Sequence, residues 1–163
     1  MDNICISPNT SKKGKERVSM EKTDTIKLLQ ECDAGSKMAV TSIDELLDKA
    51  TDPELASLLV ESKKHHEKLG NDLHSMLNDK EYDEKEPNPM AKGMSKLKIN
   101  FKMNMDNSDA MIADLITDGC DMGVKSLYKY MNQYSAAEED AKDICKRLIA
   151  IEEELRDKLR KFL

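Results

Sequence analysis

Pro53 to Asn78 reads PELASLLVESKKHHEKLGNDLHSMLN. Leu55, Leu58, Leu59, Leu69, Leu73, Met76 and Leu77 recur at three- and four-residue steps, the spacing that aligns side chains on one side of an α-helix. Such a stripe demands burial, so the segment predicts a long core helix. Midway, Ser62 and His66 interrupt the stripe with His65 on its shoulder, and all three histidines of the chain (His65, His66, His74) fall on this element. A polar notch in an oily stripe is either a set of ligands or a hydrogen-bonded core group. What the other helices bring opposite decides which.

Upstream, Thr51-Asp52-Pro53 is a tight stop and restart. Asp52 predicts an N-cap, and Pro53 fills the first helical position, where a missing N–H costs nothing. A preceding helix over 23–50, capped by Thr23 or Asp24, turns Ile26, Leu29, Ser36, Val40, Ile43, Leu47 and Ala50 inward, with Asp33 at the edge. So short a joint makes the two helices antiparallel and sets Ser36 at about the level of His66. Residues 1–20 are polar and aperiodic, and Lys12, Lys13, Lys15 and Arg17 outnumber Asp2 and Glu16. The composition predicts a disordered tail, ahead of a short arm for nucleic acid or membrane.

Downstream, DKEYDEKEPNPM (79–90) is acidic and closed by prolines, an exposed connection. The next run, MAKGMSKLKINFKMNM (90–105), fits two periods. As a helix, Met90, Met94, Leu97, Phe101 and Met105 form a stripe among Lys92, Lys96, Lys98 and Lys102; as a strand, Leu97, Ile99, Phe101, Met103 and Met105 alternate. The helix is preferred, because no second strand-like run exists to satisfy a strand's backbone. Ser108 then predicts the cap of a helix over 108–134, with Ile112, Leu115, Ile116, Gly119, Met122, Gly123, Leu127 and Tyr130 as its apolar face. Gly119, Gly123 and Ser126 on that face imply a closely approaching neighbour, since each mid-helix Gly costs about 1 kcal/mol. Ser135 with Glu138 predicts a capping box opening a last helix over 136–162. Its stripe (Ala137, Ala141, Ile144, Leu148, Ile151, Leu155, Leu159, Phe162) carries nothing polar.

Composition agrees with helices throughout. Of the 163 residues 36% are charged and only 4% aromatic, with no Trp, the profile of one domain built on aliphatic side chains with salt-bridged outer faces. A net charge of −6 argues against nucleic acid as the main ligand, which would require a basic footprint. Cys5, Cys32, Cys120 and Cys145 form no C-x-x-C pair, so a zinc ribbon or dithiol centre is not expected, and three of them sit beside apolar stripes as small hydrophobes. No run is apolar enough for a signal peptide or a membrane span, and a reduced, cytoplasmic setting is the expectation.

Four helices (23–50, 53–79, 108–134, 136–162) of about 27 residues, roughly 40 Å each, with a long second-to-third connection between two short turns, predict an all-α fold. It is the ferritin-like four-helix bundle with one long crossover carrying an extra short helix (90–105), within a domain over 21–163. An up-down-up-down bundle with a decorated loop is the alternative. ECDAGSKMAV (31–40), ESKKHHEKLGNDLHSML (61–77), EPNPMAKGMSKLKINFKM (86–103) and DLITDGCDMGVKSLYKYMNQY (114–134) resemble the ferritin-like superfamily. More narrowly they resemble an uncharacterised group of small bacterial helical proteins within it. The resemblance implies the fold and no particular activity.

A ferritin-like di-iron site takes one Glu from each of two helices and a Glu-x-x-His pair from each of the other two. With histidines on a single helix and no His on the last, that set is not expected, nor is any cofactor. If a metal bound at all, His65, His66, Glu61 and Asp33 would be its ligands. The alternative is a core His66 donating to a Ser hydroxyl or a backbone carbonyl, and it is preferred because buried polar groups are mostly just hydrogen-bonded. Met94, Leu97, Phe101, Lys96, Lys98 and Lys102 of the crossover, with Gly119 and Gly123, form a candidate interaction surface for self-association, and membrane-surface contact through 90–105 is a weaker option. Intramolecular or dimeric pairing of those lysines with Asp106, Asp109, Asp114, Asp118 and Asp121 is the simplest account of both patches.

Overall fold

The computed structural model describes residues 9–163; the side chains of residues 9–13, Met90, Ala91, Met94, Leu97 and Phe101 lie outside the described residues. Five α-helices follow in order, with no strand among the described residues: α1 (Asn9–Leu47), α2 (Pro53–Asp79), α3 (Pro89–Met105), α4 (Asp109–Gln133) and α5 (Glu139–Leu159), closed by a 3₁₀ turn at Arg160–Phe162. Local chemistry sets several boundaries. The Asp52 carboxylate accepts from the Glu54 and Leu55 N–H groups at 2.7 and 3.2 Å, with Pro53 in the first turn. Ser108 Oγ accepts from Met111 N–H at 3.2 Å. The ambiguous run is a helix, α3, and buries Ile99 and Met103 one turn apart.

Side-chain and backbone bonds at the helix ends fix the topology. At one end, the Asp109 carboxylate accepts from Thr51 N–H at 2.8 Å and Asp52 N–H at 2.9 Å, joining the α1–α2 turn to the start of α4. At the other, Asp24 accepts from Ala136 N–H at 3.1 Å and Thr25 Oγ1 from Glu138 N–H at 2.8 Å, joining α1 to the α4–α5 turn. Hence α2 and α4 start from the same end, and the connection between them travels back along the molecule. Lys98–Asp118 (2.6 Å) and Lys102–Asp114 (2.7 Å) strap α3 to α4, and Lys37–Glu84 (2.6 Å) holds the start of the connection to α1.

The core has two halves. Leu28, Leu29, Leu69, Leu73, Leu77, Ile144 and Leu148 fill one; Ile43, Leu46, Leu55, Leu59, Ile112, Ile116, Leu155 and Leu159 fill the other. Each fully buried aliphatic side chain contributes about 1.5–3 kcal/mol. Along α1, α2 and α5 the residues dividing the halves are Ser36, Ser62, His66 and Glu152, all buried.

Four expectations need correction. Of the stretch read as a disordered tail, residues 9–20 are helical, because adding residues to an existing helix avoids the nucleation cost, and residues 1–8 lie outside the described residues. Ser135 is not the cap of α5, which begins at Glu139 with no side-chain cap bond; the free N–H groups of that turn are taken by Asp24 and Thr25, acceptors on another helix. The inward face of α4 centres on Ile112, Ala113, Ile116 and Cys120, while Met122 is 67% exposed and Gly119 faces open space, without the close neighbour expected of it. On α1, Leu28 and Leu46 are fully buried and Val40 and Leu47 only half so.

The exit from α2 has a feature of its own. Glu81 N–H bonds Asn78 O at 2.9 Å and Tyr82 N–H bonds Leu77 O at 3.0 Å, the paired bonds of a Schellman stop, with Glu81 at φ 59°. That left-handed position ordinarily belongs to Gly.

Candidate functional site

The polar layer between the core halves brings an imidazole and a carboxylate together in the interior. His66, on α2, is 0% exposed. Its Nδ1 lies 2.9 Å from Ser62 O, one turn back. A carbonyl only accepts, so Nδ1 carries a proton. Ser62 Oγ stands 3.5 Å from the same nitrogen, at the outer limit of a bond. Ser36 Oγ on α1 donates to the His66 carbonyl at 2.8 Å, at the level the joint between the two helices predicts.

The other nitrogen looks across to α5. His66 Nε2 lies 3.1 Å from Glu152 Oε1. Since Nδ1 already holds its proton, this contact must hold one more: an imidazolium donating to a carboxylate, or a carboxylic acid donating to a neutral ring. Burial pushes the imidazole down, but the hydrogen bond and charge of Glu152 and the bond to Ser62 outweigh it, and His66 ends raised above 6.5. Cys120 on α4 lies against the same carboxylate. Burial pushes its thiol far up, and the charge and hydrogen bond of Glu152 push it further. A Cβ at Gly123 would rest 3.5 Å from Glu152 in ordinary contact, so α4 closes over the layer with its smallest residue facing the carboxyl.

The four residues named as conditional metal ligands do not converge. Only His66 is in the layer. His65 and Glu61 are exposed on the outer side of α2. Asp33 is buried, yet its carboxylate accepts from Lys85 N–H at 3.1 Å and pairs with Lys37 at 3.1 Å, serving the crossover. Among the described residues no group of three or more His, Cys, Asp or Glu side chains is placed to hold a metal ion.

Glu152 is the residue the sequence reading missed, and the expectation that α5 offers only apolar groups inward is overturned by it. The signal was present: it lies four residues after Leu148 and three before Leu155, on the stripe itself. Weighting Ile151 as the apolar neighbour hid it; Ile151 is only half-buried.

The proposed crossover surface is likewise changed. Lys98 and Lys102 are occupied by Asp118 and Asp114, and Lys96 approaches Glu45 at 4.0 Å. The side chains of Met94, Leu97 and Phe101 lie outside the described residues, Gly119 is open and Gly123 faces inward. Among the described residues no helix is long and apolar enough to cross a membrane. No family model, curated protein or solved structure matches the chain.

Proposed function

We propose that the chain is a non-enzymatic bundle of ferritin-like architecture, a small cytoplasmic binding or structural protein that self-associates and has no di-iron site. The architecture is supported by α2 and α4 starting from one end, so that the link between them is the single long crossover of that topology.

One observation carries the functional reading, the chemistry of the mid-level layer. Where a di-iron centre needs four carboxylates and two imidazoles, the layer offers one of each, already bonded to one another and backed by serines. An ion entering here must strip His66 of Glu152 or Ser62. It must then recruit Cys120, whose raised thiol resists becoming the thiolate that a metal binds.

A second reading, a metal-binding (iron) redox or storage protein with a degenerate site, draws its support from Glu152. That residue supplies a carboxylate to the histidine from across the bundle. Elemental analysis of protein purified without chelators from iron-supplemented culture separates the two. The expected result is no stoichiometric metal. One tightly held iron per chain, lost in Glu152→Gln, overturns the first reading in favour of the second.

A further inference from the structure

Among the described side chains Thr25 is the first buried one of α1 (1% exposed), and residues 14–20 form an unbroken exposed run. The neighbouring helices stop at that level. The α4–α5 turn is tied to Asp24 and Thr25, and α2 ends in its Schellman stop, where the Lys22 ammonium sits 5.7 Å from the Tyr82 ring centre. From Asn9 to Met20, therefore, the α1 backbone runs on past that level for roughly 18 Å, and its side chains over 14–20 are all exposed. A solitary helix of this length is marginal in water, and Gly14 weakens it further. It calls for a neighbour.

Charge identifies one. The sequence of residues 9–23 holds five basic residues (Lys12, Lys13, Lys15, Arg17, Lys22) and two acidic ones (Glu16, Glu21). Among the described residues Lys15 and Arg17 have no ion-pair partner. The end from which this arm springs has the opposite sign. Asp79, Glu81, Asp83 and Asp140 are all exposed there and also lack an ion pair. Lys15 lies nine residues beyond Asp24, roughly 13 Å along the axis and past the ~8 Å screening length at physiological salt. The arm cannot neutralise its own base. A second arm running antiparallel beside it can, because each tip then reaches the acidic end of the other molecule. Val18, 66% exposed and seven residues before Thr25, continues the inward face of α1 into the arm.

Resting on the self-associating reading above, we infer that two copies of this chain join end to end through antiparallel arms, residues 9–23, each basic arm lying against the acidic end (Asp79, Glu81, Asp83, Asp140) of its partner. The contact is isologous, so one patch supplies both halves. Its charge character makes it salt-sensitive. A net charge of −6 disfavours a polyanion as the alternative occupant.

Analytical ultracentrifugation of the full chain tests this at low salt and at about 0.5 M salt, where screening shortens to a few ångströms. The full chain is expected to dimerise at low salt and to dissociate at least tenfold more readily at high salt. Truncation of residues 1–20, and the pair Lys15→Glu with Arg17→Glu, are expected to give monomers that stay folded with cooperative unfolding, since the side chains of residues 14–20 are exposed. The reverse variant, Glu81→Lys with Asp83→Lys, is also expected to be monomeric, and mixing it with the arm variant restores a dimer. A dimer that survives truncation overturns the arm contact and leaves self-association standing. A full chain that stays monomeric throughout overturns both. Arm-dependent binding to phosphatidylglycerol vesicles or single-stranded DNA, with no dimer, assigns the arm to a polyanion and overturns the inference.

Discussion

Replacing His66 with Leu should destabilise the protein, although it removes a polar group from a core. Glu152 is the reason. With its side chain only 9% exposed and its carboxyl 3.1 Å from the imidazole, it would be left facing hydrocarbon. Breaking a buried pair by removing one partner costs about 3–5 kcal/mol. Glu152→Leu alone strands Nε2 as an unbonded acceptor at about 1–3 kcal/mol. The double change His66→Leu with Glu152→Leu removes both desolvated groups and should lie between neutral and about 1–4 kcal/mol more stable than the parent. The four proteins form a double-mutant cycle measured by urea unfolding, and the coupling energy is read from the midpoints at constant m-value. The same cycle has a pH signature. The folded His66 value is raised above 6.5, so its stabilisation is fully present below about pH 6.5 and is lost as pH rises through the folded value. The parent should therefore weaken relative to the double variant on going from pH 6 to alkaline conditions. A His66→Leu protein as stable as the parent at pH 7, or additive single changes, would refute the shared-proton contact.

Two further changes test the frame around this layer. Glu81→Gly should raise stability by about 0.5–1 kcal/mol, because Gly adopts the φ of 59° without a Cβ penalty; thermal unfolding reads it, and an unchanged or lower midpoint counts against the Schellman stop. Asp109→Ala should cost about 1 kcal/mol, modest because the group is largely solvated. The Thr51 hydroxyl and backbone N–H bonds, with that of Asp52, hold the Asp109 carboxyl below 3.8. Its stabilisation is present above about pH 3.8 and is lost as pH falls through the folded value, so the parent and Asp109→Ala should converge in strong acid.

Features set by local chemistry could be read from the sequence. Asp52-Pro53 and Ser108 begin helices where their capping side chains say they should, and the leucine spacing of 55–77 gives α2 to the residue. Ser36 meets His66 because a five-residue joint (48–52) leaves little freedom in the pairing of α1 with α2. What failed depended on elements distant in the chain. The α5 cap was lost to Asp24 and Thr25, more than a hundred positions away. Gly119 was assigned a neighbour that the rotation of α4 toward Cys120 takes away. Glu152 was overlooked because a charged residue on an apolar stripe is ordinarily a boundary mark, and only the imidazole across the bundle explains its place inside.

The buried layer also acts as an alignment key. Sliding α5 by one turn, about 5.4 Å, would bring Leu148 or Leu155 opposite His66 and push an acid group among leucines. Elsewhere the aliphatic stripes, being much alike from turn to turn, would tolerate the slip almost indifferently. One asymmetric contact in the middle thus gives otherwise interchangeable helices a single permitted alignment, and everything attached to their ends inherits its position from it.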